Sequence, residues 1–466
     1  MGATGNLAQK YLWQSLRNIE FEGVPLHVWP AATRPNMQKL VDTILKDNVT
    51  YPNGKRDVER FAKGVAPYHR LAESVDYETL QKDIEANNKK NKKETGRVIY
   101  LSVPPKFFGA IAKEIHQHLR PKDGAWLKVI VEKPFGVDLN SALQLSRDLF
   151  SSLKNEEVLC VDHYMGKDGV RGIREFRRKN PDYLSNSLIK KIERVEIQMV
   201  ETEDCKGRTS FYDEVGVVRD TMQNHLMMML SLFTMAADDN DKEEDESFRR
   251  TIAVTELEAL NDVHAVEAFG QYVEYNKHIE EDYETYHSKK MASAASSTTP
   301  TYARIALRFK SSSHFRGIPF VLTSGKALPK RRAFLRAILR GGKDALTFNV
   351  QGEIEDLEAR SKIKEAAIHA TSGLAEFDCP SGWTKLSSHH CEGPKKAPSA
   401  YQVMLSDVLH GRFDSFVTIP EVLQSWRVWT PLLAKPPSSF KLLKYHVGGQ
   451  GLDDPMNGGS LDHEEL

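Results

Sequence analysis

Two short apolar segments with a helical segment between them constrain the fold of this chain most strongly. Val98–Val103 and Leu127–Val131 are rich in β-branched residues, and the stretch around residues 107–119 has the pattern of a helix. Strands that are apolar along their whole length, connected by a helix, are typical of a parallel sheet with both faces covered. The sequence therefore predicts an α/β domain in the first part of the chain.

The hydrophobic pattern changes near residue 190. Val195, Ile197 and Met199 alternate with other side chains, as in a half-buried antiparallel strand. Further strands are predicted at 265–275, 302–309 and 320–323, and a polar loop at 86–93. These patterns predict a second domain of the α+β class, built on a large and mainly antiparallel sheet.

Composition excludes several functional classes. The 466 residues include 64 Lys and Arg against 64 Asp and Glu, so the formal net charge is zero, which argues against a nucleic-acid-binding protein. Hydrophobic residues make up 40% and charged residues 27%, which is close to the globular average. No apolar run is long enough for a membrane span, and no metal is expected, because the Met227–Met229 run is interpreted as core packing.

The start of the chain has a possible dinucleotide-binding turn. Gly2, Thr4 and Gly5 belong to a Gly-x-x-Gly turn before a predicted helix, where backbone N–H groups can approach a pyrophosphate. Arg34 follows the second predicted strand, near where NADP enzymes place an arginine on the 2′-phosphate, although a solvated arginine is an equally good interpretation. Lys133 directly follows a buried strand, at the edge of the sheet where ligands bind.

Two longer segments are more specific. The first, 161–167, includes Asp162, His163, Tyr164 and Lys167, and the second, 207–226, ends in Gln223-Asn224-His225. A histidine suits the role of a general base near neutral pH, so His225 is a candidate catalytic residue. On a regular helix, residues five positions apart point about 140° away from each other, so Asp220 is not expected to bond directly to His225.

At these segments the sequence resembles the glucose-6-phosphate dehydrogenase family. The resemblance extends through Gly270–Tyr272, Gly317–Leu328 and Ser425-Trp426, and it covers residues 2 to about 433. Segments 10–14, 208–212 and 324–326 are most similar to the endoplasmic-reticulum hexose-6-phosphate dehydrogenase branch, without its lactonase domain. The resemblance implies a Rossmann-like NADP-binding domain at 1–162, a substrate-binding α+β domain at 163–440 and a flexible tail at 441–466.

The resemblance also implies roles for individual residues. His225 would be the proton acceptor, with Asp162 as the carboxylate that orients it. The other implied residues bind the sugar phosphate or the cofactor. The substrate-binding set is Lys133, His163, Tyr164, Lys167, Glu201, Asp220, Lys326 and Arg331, and the cofactor-binding set is Gly2, Thr4, Gly5, Arg34 and Lys133.

The implied function is oxidation of glucose 6-phosphate at C1 to 6-phosphoglucono-1,5-lactone, with NADP as cofactor, NAD as a further possibility, and a homodimer as the expected assembly. One alternative is a non-catalytic protein that binds a sugar phosphate. Another is a sugar oxidoreductase of the glucose–fructose oxidoreductase superfamily, which shares a Glu-Lys-Pro turn but does not explain the 219–225 segment.

Both ends of the sequence carry further expectations. Only Met1 precedes Gly2, so the first strand of a Rossmann domain is missing, and no signal peptide is present. An incorrect or alternative translation start, placed too late in the coding sequence, would explain both absences. The last four residues, His463-Glu464-Glu465-Leu466, resemble a retrieval signal of the endoplasmic reticulum, and the alternative compartment is the cytoplasm.

The compartment determines what is expected of the four cysteines. In an oxidising lumen, Cys379 and Cys391 are predicted to form a disulfide, with Cys160 buried and reduced and Cys205 free. In the cytoplasm, all four would be thiols.

Overall fold

A computed structural model of the chain describes residues 1–50, 55–91, 96–122, 125–237, 245–356, 362–435 and 439–449. The α-helices are α1 (Trp13–Phe21), α2 (Gln38–Asp47), α3 (Lys55–Lys63), α4 (Ser74–Asn91), α5 (Phe108–His118), α6 (Leu139–Phe150), α7 (Asp168–Lys179), α8 (Asn186–Ile189), α9 (Thr209–Val217), α10 (Met227–Thr234), α11 (Glu246–Thr255), α12 (Tyr275–His287), α13 (Ala400–Leu409) and α14 (Ile419–Leu433). Two π-helices span Ala8–Leu12 and Val218–Leu226, and 3₁₀ turns span Pro105–Phe107, Asn155–Glu157, His163–Gly166 and Val263–Ala265.

The strands belong to four sheets. They are β1 (Ala31–Ala32), β2 (His69–Arg70), β3 (Arg97–Leu101), β4 (Leu127–Val131), β5 (Val158–Cys160), β6 (Ile192–Val200), β7 (Val266–Tyr272), β8 (Tyr302–Leu307), β9 (Phe320–Gly325), β10 (Arg332–Leu339), β11 (Ala345–Gln351), β12 (Ile354–Glu355), β13 (Lys362–Ile363), β14 (Ala367–Ala370), β15 (Thr384–Ser387), β16 (His390–Glu392) and β17 (Leu442–Tyr445).

The chain divides into two compact units. Unit 1 comprises Met1–Gly166 together with Pro398–Leu423, and unit 2 comprises Lys167–Ala397 together with Gln424–Leu466. The sequence assigns residues 398–423 to the second domain, whereas in the structure they pack within unit 1. Residues 442–445 of the predicted flexible tail form strand β17, which pairs with β7, so the prediction of a flexible tail is wrong for this segment. The rest of the predicted division into functional domains stays a prediction, because compact units and functional domains need not coincide.

Unit 1 has the predicted α/β architecture. Strands β3, β4 and β5 form a parallel sheet in that order, with Ile99 opposite Val129 and Val131 opposite Cys160. Helices α5 and α6 connect these strands, and α5 packs against both α4 and α6. Burial of apolar side chains such as Ile130 and Ile115, which are fully inaccessible, stabilises this arrangement.

Met1 and Gly2 lie between β1 and β3. The Gly2 N–H donates to the Ala31 carbonyl oxygen at 2.7 Å, and the Ser102 N–H donates to the Met1 carbonyl oxygen at 3.1 Å.

Unit 2 is built on a ten-stranded sheet with the order β15-β16-β14-β11-β10-β6-β9-β8-β7-β17. Neighbouring strands are antiparallel except for two parallel pairs, β6 with β9 and β7 with β17. The predicted large and mainly antiparallel sheet is therefore confirmed. All eight residues of α10 are buried, which confirms that Met227–Met229 belong to the core.

The predicted disulfide is present in the structure. Cys379 and Cys391 are bonded, with their Cα atoms 5.8 Å apart and a separation of 12 in the sequence. Cys160 and Cys205 are free and buried. Cys391 lies in β16 of the ten-stranded sheet, so the bond attaches the segment around Cys379 to a regular strand.

This bond can be tested in solution. We expect Cys379→Ser to lower the free energy of unfolding by about 2–4 kcal/mol, because the cross-link restricts the unfolded chain. Denaturant titration would measure the loss, with the reduced wild-type protein as the matched control. Mass spectrometry after thiol blocking without reductant should find two alkylated cysteines; alkylation of all four would contradict the bond.

None of the described helices combines the length and the hydrophobicity that crossing a membrane requires.

Candidate active site

Unit 1 places several predicted site residues at one edge of its parallel sheet. Strands β3, β4 and β5 end at Leu101, Val131 and Cys160, and ligands of open α/β sheets bind beyond such carboxyl ends. Lys133 follows β4, and Asp162 follows β5. Parallel pairing of the three strands brings these sequence-distant residues to the same edge.

The glycine turn at the start of the chain is formed as predicted. Gly2 has a φ of 80°, and a Cβ atom there would overlap the Ser102 carbonyl oxygen, so only glycine fits. The Gly5 N–H donates to the Gly2 carbonyl oxygen at 2.9 Å. The Gln9 side-chain amide donates to the Thr4 carbonyl oxygen at 2.7 Å, which fixes the turn against the helix that follows. A tight glycine turn before a helix is suited to the pyrophosphate of a dinucleotide.

Arg34 is exposed, and its backbone is held in place. The Tyr68 hydroxyl lies 2.5 Å from the Arg34 carbonyl oxygen and 2.8 Å from the Ala32 carbonyl oxygen. This arrangement anchors the loop after β1 and leaves the guanidinium on the surface.

The segment after β5 folds back on itself through Asp162. This carboxylate is buried, and it accepts a hydrogen bond from the Tyr164 N–H at 2.9 Å. The His163 ring is stacked on the Tyr401 ring, with centroids 6.0 Å apart and an interplanar angle of 10°. Tyr401 lies on α13, nearly 240 positions later in the sequence. No local pattern around residue 401 identifies it, so the sequence analysis missed this contact.

A buried acidic residue beside Lys133 was also missed. The Tyr100 hydroxyl donates a hydrogen bond to the Glu132 carboxylate. Burial raises the pKa of Glu132, against the opposing effects of the Tyr100 hydrogen bond and of the Lys133 charge. Burial also raises the pKa of Tyr100 and of Tyr401, so both phenols stay protonated. In the Glu-Lys-Pro turn, only Lys133 is a site residue predicted from the sequence.

The most informative cluster of unit 2 is centred on Lys326. The parallel pair β6 and β9 aligns Val200 with Gly325, so Glu201 and Lys326 both follow the carboxyl end of a strand. The Lys326 ammonium forms an ion pair with the Glu201 carboxylate, and its Nζ lies 3.0 Å from an Asp220 carboxylate oxygen. Only 4% of the Lys326 side chain is exposed. Three residues from separate segments of the sequence thus form one charged cluster around a buried lysine.

The pKa of Lys326 follows from these neighbours. Burial by itself would lower this pKa, because a charged amine is poorly solvated inside the protein. The negative charges of Asp220 and Glu201, together with their hydrogen bonds, outweigh burial and raise the pKa above its usual value. Lys326 therefore carries a positive charge at neutral pH.

The segment that contains Asp220 and His225 is a π-helix, Val218–Leu226. The assumption of a regular helix there was wrong. In a π-helix, hydrogen bonds join residues five positions apart, so Asp220 and His225 lie one turn apart rather than on divergent faces. π-Helical segments inside helices are frequently found at functional sites.

His225 is buried, with 1% of its surface exposed. Side chains from two other segments of unit 2 hold its helix. The Thr221 hydroxyl donates to the Ser324 hydroxyl at 2.7 Å, which links the π-helix to β9. The Ser425 hydroxyl donates to the Gln223 carbonyl oxygen at 2.5 Å, which links it to α14. The backbone that carries His225 is therefore fixed next to the strand that leads to Lys326.

The loop that carries Lys326 has further anchors that the sequence analysis missed. The Tyr445 hydroxyl donates to the Lys326 carbonyl oxygen at 2.9 Å, and the Lys326 N–H donates to the Thr301 carbonyl oxygen at 3.0 Å. The Tyr212 ring lies 5.9 Å from the Lys326 ammonium. Tyr212 belonged to a segment that the sequence analysis singled out, whereas Tyr445 followed no recognisable pattern.

Two other predicted substrate-binding residues, Lys167 and Arg331, differ from Lys326 in their surroundings. The Lys167 ammonium donates to the Gln351 side-chain oxygen at 2.6 Å. Arg331 is half exposed and lies 3.6 Å from a Glu203 carboxylate oxygen. Both cations belong to unit 2, but neither is as deeply buried as Lys326.

Comparison with known proteins gives the family. The model of the NAD binding domain of glucose-6-phosphate dehydrogenase matches residues 1–172, and the model of its C-terminal domain matches residues 176–457. The chain belongs to the glucose-6-phosphate dehydrogenase family. The human GDH/6PGL endoplasmic bifunctional protein is 32% identical over an alignment that covers 100% of this chain and 61% of the relative. Glucose-6-phosphate 1-dehydrogenase from Drosophila melanogaster is 28% identical, with 97% of this chain and 86% of the relative covered.

Solved structures support the fold. A glucose-6-phosphate dehydrogenase in complex with its substrate glucose-6-phosphate superposes with a TM-score of 0.78 at 23% identity, covering 98% of this chain and 95% of that one. The fold of this family is thus confirmed for the chain. The chain spans about three fifths of the length of the endoplasmic bifunctional relatives, 61% for the human protein and 58% for the rabbit protein.

Proposed function

We propose that this chain oxidises glucose 6-phosphate at C1 to 6-phosphoglucono-1,5-lactone while NADP⁺ is reduced. The observation that carries this proposal is the buried Lys326 between Glu201 and Asp220, with Asp220 and His225 on the same π-helix. Membership of the family supports it. So does the glucose-6-phosphate dehydrogenase of the same fold that was solved in complex with glucose 6-phosphate.

The chemistry assigned to these residues is a proton transfer. His225 takes the proton from the C1 hydroxyl, which leaves the oxygen able to form the lactone carbonyl as the hydride departs from C1. NADP, when bound, supplies the hydride acceptor. Glu201 and Asp220 accept hydrogen bonds from sugar hydroxyls, and the Lys326 ammonium between them balances their negative charge. Asp162 stays the predicted orienting carboxylate for His225.

The substrate phosphate is assigned to cations and donors of the 163–167 segment and its surroundings. His163, Tyr164 and Lys167 supply hydrogen-bond donors, and charge-assisted contacts with a phosphate are stronger than neutral ones. Arg331 adds a half-exposed guanidinium, which can exchange Glu203 for the phosphate. Lys133 is assigned to both substrate and cofactor.

In the direct test, the purified chain is mixed with glucose 6-phosphate and NADP⁺, and the formation of NADPH is followed by absorbance. Turnover that requires both glucose 6-phosphate and NADP⁺ supports the proposal. Calorimetry distinguishes the alternative of a non-catalytic sugar-phosphate-binding protein: binding of glucose 6-phosphate without binding of NADP, and without turnover, would favour that alternative.

Arg34 is proposed to bind the 2′-phosphate that distinguishes NADP from NAD. We expect Arg34→Ala to raise the KM for NADP about 10- to 100-fold, because a hydrogen bond to a charged group contributes about 1.5–3 kcal/mol. NAD serves as the internal control, since it lacks this phosphate, and its KM should not change. An equal change in KM for both cofactors, or no change in KM for either, would show that Arg34 does not bind the 2′-phosphate.

We propose the endoplasmic-reticulum lumen as the compartment. The names of the human and rabbit relatives support it, although cytoplasmic glucose-6-phosphate 1-dehydrogenases are also similar to this chain. The predicted retrieval signal, His463–Leu466, lies outside the described residues. In cells that express a full-length transcript encoding a signal peptide, deletion of these four residues should cause secretion. Cytosolic full-length protein with an unprocessed N-terminus would contradict the proposal.

A homodimer is the proposed assembly, on the ground of family membership. Light scattering of the purified chain would give twice 52.8 kDa for a dimer. A mass of 52.8 kDa over the whole working concentration range would contradict it.

A further inference from the structure

A pocket that lies wholly within unit 2 is lined by none of the predicted site residues. It encloses about 460 Å³, which is within the range of small-molecule sites, about 300–1,000 Å³. Its walls come from the junction of α9 with the second π-helix (215–219), from the loop 298–300 and from the end of α14 (432–435), and strands β7 and β17 complete it. The size and the separate walls are those of a ligand site, so the lining determines which ligand fits.

The part of the pocket formed by β7 and β17 is apolar. Phe269 and Leu442 lie opposite each other in this parallel pair of strands. The Phe440 ring meets the Phe269 ring edge to face, with centroids 5.0 Å apart and an interplanar angle of 88°. Leu432 of α14 adds a further apolar side chain. These residues favour an aliphatic or aromatic ligand body, because removal of apolar surface from water is favourable.

Hydrogen bonds hold two of the walls together. The Val217 N–H donates to the Pro300 carbonyl oxygen at 3.2 Å, and the Thr299 hydroxyl donates to the Asp213 carbonyl oxygen at 2.9 Å. The Tyr275 hydroxyl donates to the Asp213 carboxylate at 3.1 Å. The loop 298–300 is therefore fixed against the end of α9. A pocket whose walls are already held in place needs little ordering when a ligand binds, which favours affinity.

Lys435 places a positive charge beside this apolar lining. It directly follows α14 and is half-buried in the pocket wall. Within the described ranges of the chain, its ammonium has neither an ion pair nor a hydrogen bond. Arg219 also lines the pocket, but its guanidinium lies 3.5 Å from the Val215 carbonyl oxygen of the preceding turn. Lys435 is consequently the cation available to an anionic group of a ligand, and charge-assisted hydrogen bonds are stronger than neutral ones.

The acidic residues of the lining limit the charge of the ligand. Asp213 and Glu214 are exposed and line the same pocket. They repel a second negative charge, because like charges brought together disfavour binding. The lining therefore suits a ligand with one negative charge and an apolar body rather than a phosphate or a dicarboxylate.

We propose that this pocket binds an amphipathic monocarboxylate of the medium-chain fatty acid type. The carboxylate pairs with Lys435, and the aliphatic chain lies against Phe269 and Leu442. Each buried CH₂ group raises the affinity roughly fourfold, so decanoate should bind more tightly than octanoate. The proposal is independent of the proposed enzymatic function, because no residue assigned to substrate or cofactor lines the pocket.

The experiment is calorimetric titration of the full chain with decanoate. Lys435→Met removes the cation, and Lys441→Met is its matched control, because Lys441 is a nearby exposed lysine outside the pocket. Leu433→Trp fills the pocket from α14, and its matched control is Leu386→Trp, at an exposed position of β15. The midpoint of thermal unfolding checks that each variant is folded.

We expect Lys435→Met to weaken decanoate binding about 10- to 100-fold, the usual contribution of a hydrogen bond to a charged group. Leu433→Trp should abolish binding, and both control variants should bind decanoate as the wild type does. Unchanged affinity in Lys435→Met would overturn the proposal. If Leu433→Trp does not fold, Lys435→Met still decides, because its side chain is only half-buried and bonds to no described residue.

Two further ligands test the assigned chemistry with the wild-type chain. Decanol lacks the carboxylate and decanedioate carries a second one, so each should bind at least about tenfold more weakly than decanoate. Equal affinity of decanol and decanoate would overturn the role of the charge, and with it the proposal. Saturating glucose 6-phosphate and NADP⁺ should leave decanoate binding unchanged. Displacement of decanoate by either compound would assign it to the candidate active site and also overturn the proposal.

Discussion

Replacement of His225 by Asn should lower kcat for glucose 6-phosphate oxidation by about 10²–10⁴-fold, the usual contribution of a general base. Asn has a similar volume and remains polar, but it cannot accept the proton from the C1 hydroxyl. The π-helix is held independently of this side chain, through Thr221 and Ser425, so the fold should persist. Steady-state rates of NADPH formation measure the effect, and the unfolding midpoint checks that the variant is folded.

His287 provides the control for this replacement. It is exposed at the end of α12, and its ring contacts only the Tyr283 ring and backbone in its own helix among the contacts that the structure describes. His287→Asn should leave kcat unchanged. If His225→Asn is folded and retains full turnover, His225 is not the base.

The second large effect is expected at Lys326. Replacement by Met would leave the partly buried carboxylates of Glu201 and Asp220 without the cation between them. We expect a loss of about 3 kcal/mol of folding stability, the lower end of the range for breaking a buried ion pair, because the two carboxylates are partly exposed. The KM for glucose 6-phosphate should rise as well, because Lys326 would no longer hold the two carboxylates in position for the sugar hydroxyls. Denaturant titration and steady-state kinetics measure the two effects.

The dependence of stability on pH provides a more specific readout. The pKa of Lys326 in the folded protein is raised above its ordinary value of 10.5. Its contribution is therefore fully present below pH 10.5 and is lost as pH rises through the folded-state pKa. Wild type should lose this contribution at alkaline pH, and Lys326→Met should lack that part of the pH dependence.

Lys330 is the matched control, because it is a nearby exposed lysine. Lys330→Met should change neither the stability nor the KM. If Lys326→Met proves too unstable for kinetics, Lys326→Arg retains the positive charge and should recover most of the lost stability. Equal stability of wild type and Lys326→Met at neutral pH would contradict the structural role of the cluster.

Local sequence patterns were sufficient for much of the fold. The apolar, β-branched runs correctly located β3 and β4, and the alternation of Val195, Ile197 and Met199 located β6. The polar stretch at 86–93 was predicted as a loop, whereas α4 continues to Asn91. That error has a simple cause: Asn and Lys are tolerated on an exposed helix, so polarity alone does not distinguish a solvated helix from a loop.

The candidate site, like the fold, was only partly predictable from the sequence. The family resemblance selected Glu201, Asp220 and Lys326, since each belongs to a recognisable segment. It could not show that the three side chains form one charged cluster around a buried lysine, because that depends on the parallel pairing of β6 with β9. Nor could it show that Val218–Leu226 is a π-helix, because hydrophobic periodicity is interpreted with the geometry of a regular α-helix.

By itself, the sequence determined the order and type of the main secondary-structure elements, the family and the residues that carry the proposed chemistry, because hydrophobic periodicity and short functional segments are local properties of the chain. Only the tertiary structure decided which distant residues meet. Tyr401 stacks on His163, and Tyr445 anchors the loop of Lys326. Such contacts depend on strand register and on the packing of segments far apart in the chain, for which no local pattern exists.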